Sequence, residues 1–106
     1  MTYVFDIDGT LCTQAAPDYE NAQPIEGRIL KVNELYEAGH TIVCFTARGM
    51  GRHKNNSLLA IEDFYELTST QLQRWGVKYH HLFLGKPSGD VYIDDKGIRD
   101  NDFFTN

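Results

Sequence analysis

Apolar positions along this chain alternate between short continuous runs and longer stretches where they recur every three or four residues. The first run, about Thr2 to Asp6, is brief, aromatic and β-branched, which predicts a strand. Pro24 suits the first turn of a helix and Gly39 the position just past its end. Between them Ile25, Ile29, Val32, Leu35 and Tyr36 keep helical spacing. His40 to Phe45 (HTIVCF) predicts a buried parallel strand. Leu58 to Leu67 predicts another helix. Thr68 followed by Gln71 matches a capping box, with Leu67 placed to staple onto Leu72, so a separate helix is expected from about Ser69 to Trp75, ended by Gly76. Tyr79–Leu84 and Val91–Ile93 predict further strands. Phe103 and Phe104 are expected to tack the short tail, Asp100 to Asn106, onto the core.

Strands alternating with helices predict an α/β fold: a three-layer, Rossmann-like, mostly parallel sheet flanked by helices. One connection resists this sketch. Only residues 85–90 separate Leu84 from Val91, whereas a parallel crossover usually takes about a dozen residues or more. Either one of these strands is irregular or the pair is arranged differently.

The chain has 106 residues and shows no repeat, linker or low-complexity stretch, which predicts a single domain over 1–106. A hydrophobic fraction of 42% argues against disorder. No apolar run is long enough to span a membrane, and no signal peptide is visible at the N-terminus. Cys12 and Cys44 have neither redox-motif nor zinc-site spacing and are read as reduced thiols of a cytoplasmic protein. The net charge of −5 argues against nucleic acid as a primary partner.

The chemistry collects at the predicted strand ends. Asp6 and Asp8 close the first strand, and a period of two projects them from one side. Asp is depleted in strands, and paired carboxylates repel unless a cation or a shared proton sits between them. Hard oxygen ligands at this density suit Mg²⁺. Thr46-Ala47-Arg48 ends the second strand, Gly85-Lys86-Pro87 follows the third, and Asp94-Asp95 ends the last. In open parallel sheets these ends share one rim, where ligands bind. Carboxylates, a hydroxyl, a lysine and an acidic pair make a plausible phosphoryl-transfer site.

Asp6-Ile7-Asp8-Gly9-Thr10 matches DxDGT, the first motif of the haloacid dehalogenase-like phosphatases, and Thr46, Lys86 and Asp94-Asp95 match the other three in order. The chain therefore resembles that superfamily over nearly its whole length. With the TAR, GKP and IDD segments it looks closest to small bacterial phosphatases associated with capsular polysaccharide synthesis. The resemblance implies a haloacid dehalogenase-like core. It implies Asp6 as a nucleophile that forms an aspartyl-phosphate, and Asp8 as general acid and then base. Thr46 and Lys86 would hold the phosphoryl group. Mg²⁺ would be bound by the Asp6 carboxylate, the Asp8 carbonyl and the Asp94–Asp95 pair, with Asp95 favoured as the direct ligand. Gly9, Thr10, Ala47 and Arg48 would border the substrate.

The gaps between these motifs are too short for a cap domain. The Cys12–Gln23 flap, the Gly49–Ser57 loop or a neighbouring copy in a homo-oligomer would cover the site. Arg48 either recognises substrate or pairs with a surface acid. Arg52, His53 and Lys54 form either a solvated loop or a sensor for an anionic leaving group, with Arg52 and Lys54 as the substrate-binding candidates. His80 and His81 face opposite ways on a strand, which favours structural roles.

The expected activity is a Mg²⁺-dependent phosphomonoesterase acting on a small sugar or polyol phosphate. The alternatives are a phosphatase of nucleic-acid ends or phosphoproteins, and a non-catalytic module that binds phosphate or Mg²⁺.

Overall fold

The computed structural model describes residues 1–105. It contains β1 (Thr2–Phe5), a 3₁₀ turn at Tyr19–Asn21, α1 (Glu26–Glu37), β2 (Thr41–Thr46), α2 (Ser57–Arg74), β3 (His81–Leu84) and α3 (Asp100–Phe103). The strands form one parallel sheet in the order β1-β2-β3. The predicted α/β class and parallel pairing hold, and so do the three strand positions.

Sheet order and handedness decide where the core lies. Both crossovers move the same way across the sheet, and right-handed crossovers then place α1 and α2 on the same face. The alternation of burial agrees. Phe5, Ile42, Cys44, Leu82 and Leu84 share one core with Ile29 and Val32 of α1 and Phe64 and Leu72 of α2. Tyr3 packs against this core, and its register partner is Ile42. On the opposite face Val4 is 60% and Phe83 53% exposed. The described residues therefore make two layers, helices on one face of the sheet, where the sequence predicted three. The sheet's second face is uncovered, and β1 is an edge strand.

Two sequence expectations fail for physical reasons. The capping box at Thr68–Gln71 does not start a helix, because α2 runs unbroken from Ser57 to Arg74. Thr68 and Gln71 lie three residues apart on its buried face, where they serve a side-chain partner rather than the helix end. The α2 start is instead capped by Asn56, whose Oδ1 accepts from the Leu59 N–H at 3.3 Å. Val91–Ile93 is not a strand. The chain from Asp90 to Arg99 is exposed and unpaired, and Ile93 is 96% exposed. The short 85–90 link gives the reason, since it cannot carry a parallel crossover.

The tail behaves as expected as far as Thr105; Asn106 lies outside the described residues. The Phe103 ring meets those of Tyr3 and Phe5 at 6.0 and 5.6 Å. Arg28 of α1 donates to Asp100 Oδ2 at 2.8 Å, and this bond holds the Asp100 carboxyl below its ordinary value. No helix among the described residues is long and apolar enough to cross a membrane.

Candidate active site

The C-terminal ends of the strands border a cleft of about 530 Å³, within the usual range for small-molecule sites. Ile7 is fully buried between Asp6 and Asp8, which turns both carboxylates toward this rim. Gly9, at φ +81°, then reverses the chain, and its N–H donates to the Cys12 carbonyl at 2.8 Å. Burial lifts the Asp6 carboxyl above its ordinary value, and the Lys86 ammonium draws it part of the way back. Lys86 Nζ lies 3.7 Å from Asp6 Oδ1.

Lys86 is placed by backbone pairing. Two residues beyond β3, its N–H donates to the Thr46 carbonyl at 3.2 Å, so the side chain starts at the end of β2. The ammonium also sits 4.5 Å from the centre of the Tyr92 ring. Thr46 is buried, and its Oγ1 accepts the Arg48 N–H at 3.1 Å. That bond caps the turn after β2 and leaves the hydroxyl proton free to donate into the cleft.

Arg48 is the least expected feature. It is neither a surface cation nor free to meet substrate, because its side chain is fully buried. Nε donates to Asp8 Oδ2 at 2.9 Å and Nη2 to Asp8 Oδ1 at 3.0 Å, a two-pronged pair. Nη1 donates to Gln71 Oε1 at 2.6 Å and Thr68 Oγ1 at 3.2 Å. The Tyr19 ring lies 5.0 Å from the guanidinium carbon. Gln71 Nε2 in turn donates to the Tyr19 carbonyl at 2.7 Å. One buried cation thus ties Asp8, α2 and the 12–23 flap together. The Asp8 side chain, expected free for proton transfer, has both oxygens engaged.

Gly49 lets this turn lie against α2. It sits at φ +78°, and a Cβ there would come within 2.6 Å of Phe64 Cδ2 and 3.2 Å of the Ala60 Cα. Gly49→Ala combines backbone strain with a clash against a helix. It is expected to lower stability by roughly 2–3 kcal/mol in urea unfolding, whereas Gly51→Ala, with open space around it, leaves the midpoint nearly unchanged.

The Asp94–Asp95 pair is not brought to the rim. Both residues are exposed, and neither borders the cleft. The Lys96 N–H donates to Asp94 Oδ1 at 3.0 Å and holds that carboxyl low. Near the cleft the oxygens suited to a divalent cation are the Asp6 carboxylate and the Asp8 carbonyl, with the Asp8 side chain committed to Arg48. Among the described residues no three His, Cys, Asp or Glu side chains gather in a metal-sized group. Mg²⁺ prefers six oxygens in near-octahedral array, so the single chain does not fit the expected ion.

Of the other sequence candidates, Ala47 and Arg52 border the cleft, while Gly9, Thr10 and Lys54 do not. The Thr10 carbonyl accepts from Arg28. His53 leaves the basic run to pair with Asp63 at 2.6 Å. His80 accepts the Ile42 N–H at 3.0 Å and stacks on Tyr36, a structural role. Burial pushes the thiols of Cys12 and Cys44 up to about 12, which keeps both unreactive. Sequence reasoning missed Tyr19, Thr68, Gln71 and Tyr92. The signal for two of them was present: Thr68 and Gln71 fall on the helix face that carries Phe64 and Leu72, where a polar residue needs a buried partner.

Neither a protein-family model nor a curated protein matches this sequence. Among solved structures, the crystal structure of a target protein from Vibrio cholerae superposes with a TM-score of 0.90 at 29% identity. The match covers 99% of this chain and 88% of that one.

Proposed function

We propose that this protein is a phosphomonoesterase of the haloacid dehalogenase-like kind, working through an aspartyl-phosphate on Asp6. The observation that carries the reading is the convergence of Asp6, Thr46 and Lys86 on one cleft, with a single ammonium 3.7 Å from the candidate nucleophile. An Asp6 oxygen attacks phosphorus, the bond to the leaving oxygen breaks, and that oxygen takes up a proton. Water then attacks the same phosphorus, and Asp6 departs as a carboxylate with inorganic phosphate released. Lys86 neutralises charge on the transferred group, and the Thr46 hydroxyl donates to one of its oxygens.

Asp8 fits the second half directly. A carboxylate fixed by Arg48 accepts the proton of the attacking water. The acid role in the first half requires one Arg48 bond to open, because neither Asp8 oxygen presents an O–H to the cleft. Mg²⁺ remains part of the proposal only with Asp94 and Asp95 joined to Asp6, and no step above depends on it. Cytoplasmic residence belongs to the same proposal and rests on two buried, unpaired cysteines.

The cleft volume favours a small metabolite, and the net charge of −5 counts against nucleic-acid ends. Sugar and polyol phosphates, including those of surface-polysaccharide synthesis, are the first class to test. The reading is tested with a phosphate-ester panel in Mg²⁺. Hydrolysis of sugar phosphates well above phosphorylated peptides and oligonucleotides supports it, and no turnover of any ester overturns it.

Arg52 refines the panel. It stands at the cleft mouth over Phe64, and its nearest acid, Asp63, is 3.8 Å away and already taken by His53. Esters whose leaving group carries a carboxylate should lose roughly tenfold in kcat/KM in Arg52→Ala, as expected for one surface charge contact. Esters of neutral polyols should lose little.

A further inference from the structure

We infer that two copies of this chain exchange residues 91–105, each adding its Val91–Ile93 segment as a parallel strand to the open β1 edge of the other. The exchange completes each site with the other copy's Asp94 and Asp95.

The edge and the segment are both unsatisfied in the single chain. β1 pairs only with β2, so one row of its N–H and C=O groups has no strand partner. Val4, at the middle of that strand, is exposed. Val91, Tyr92 and Ile93 form a β-branched and aromatic run with no strand partner; Val91 and Ile93 are 76% and 96% exposed, and only the Tyr92 hydroxyl is bonded, to Pro87 and Gly89 of the adjoining link.

Chain length selects a second copy as the occupant. A parallel strand beside β1 must begin at the end of the sheet opposite the rim. The chain leaves β3 at the rim, after Leu84. Reaching the new start means going back along the strand length and across to the far side of β1. For four-residue strands spaced by the usual interval, that is roughly 20 Å in a straight line through the sheet. The seven steps from Leu84 to Val91 reach about 24 Å when fully extended, which leaves too little to pass around the sheet or its helices. An antiparallel strand in the same chain would carry Asp94 and Asp95 away from the rim. In a second copy the limit disappears, because the arm enters from outside.

The tail travels with the arm, since only residues 96–99 lie between Asp95 and α3. The bonds from Arg28 to Asp100 and the packing of Phe103 on Tyr3 and Phe5 then form between copies at no net loss. The exchange gives up the local contacts of Tyr92 with Lys86, Pro87 and Gly89 and adds strand pairing on β1 and burial of Val91 and Ile93. Gly85, Pro87 and Gly89 lie in the hinge. Delivery of the acid pair to Asp6 rests on the phosphatase reading; the exchange itself does not.

Sedimentation equilibrium in the micromolar range tests the exchange without reference to activity. The intact chain should run at about twice its 12.1 kDa mass. Ile93→Glu should run as a monomer. A Gly-Ser insertion that doubles the 85–90 link should also give a monomer, because the crossover can then close within one chain. A monomeric wild type, or a dimer unmoved by both changes, overturns the exchange.

Complementation tests the shared site. Asp6→Asn and an Asp94→Asn/Asp95→Asn double variant, each inactive alone, are unfolded and refolded together. Half of the dimers are then mixed, and one of their two sites is intact, so about a quarter of wild-type activity should return. No recovery in a mixture that does form mixed dimers overturns the shared site. An inactive wild type that still dimerises through Ile93 removes the phosphatase reading and leaves the exchange standing.

Discussion

Asp6→Asn is expected to remove phosphoester hydrolysis, by on the order of 10⁴-fold or more in kcat, as for other covalent nucleophiles. An amide oxygen is a poor nucleophile toward phosphorus, and no neighbouring group replaces it. Thr46 Oγ1 accepts the Arg48 N–H and is placed to donate to the phosphoryl group rather than attack it, and the Cys12 thiol is pushed up to about 12. The variant should nevertheless stay folded. Burial raises the Asp6 carboxyl above its unfolded value of 3.8, so ionising it costs folding free energy. That cost is absent below 3.8, grows as pH rises toward the folded value, and persists above it. The asparagine carries no such cost. At neutral pH Asp6→Asn should therefore melt no lower than the wild type, and the wild type should gain on it as pH falls through that window. Paired thermal melts at neutral and acid pH check the sign, and a phosphate-release assay checks the activity.

Arg48→Met carries the second-largest expected effect, this time on stability. The substitution leaves Asp8 without its partner and strips Thr68 and Gln71 of their donor. Breaking a buried ion pair by removing one member costs about 3–5 kcal/mol, against a total stability of about 5–15 kcal/mol for a domain. Urea unfolding should show the loss, and flap residues 12–23 should exchange amide protons faster because Tyr19 loses its anchor.

Arg48→Lys separates positioning from folding. It keeps the charge but cannot serve Asp8, Thr68 and Gln71 together. Turnover of alkyl phosphates, whose leaving oxygen needs a proton, should fall roughly ten times more than turnover of p-nitrophenyl phosphate, whose phenolate leaves unaided. Equal losses on both substrates would make Arg48 purely structural.

The elements legible in the sequence are those set by local pattern. Ile29 and Val32 repeat at helical spacing and face the core of α1, and the apolar run ending at Thr46 forms β2. Asp6, Thr46 and Lys86 could be placed on one rim because strand ends in a parallel sheet share it. What could not be read depends on distance through space. Thr68 and Gln71 look like a helix start until Arg48, twenty residues earlier, is seen to need their oxygens. Arg48 looks like a surface residue until it is found buried against Asp8. The strand pattern of Val91–Ile93 is real, but a strand forms only beside a neighbour, and the link from β3 is too short to bring it to one within the chain.

The central claim is that Asp6 carries the phosphoryl group during turnover. Protein quenched in acid during steady hydrolysis of p-nitrophenyl phosphate should contain a hydroxylamine-labile phosphoryl adduct. Mass spectrometry should map it to the peptide containing Asp6, and Asp6→Asn should lack it. A phosphoryl group on Thr46, or steady turnover by Asp6→Asn, would contradict the account.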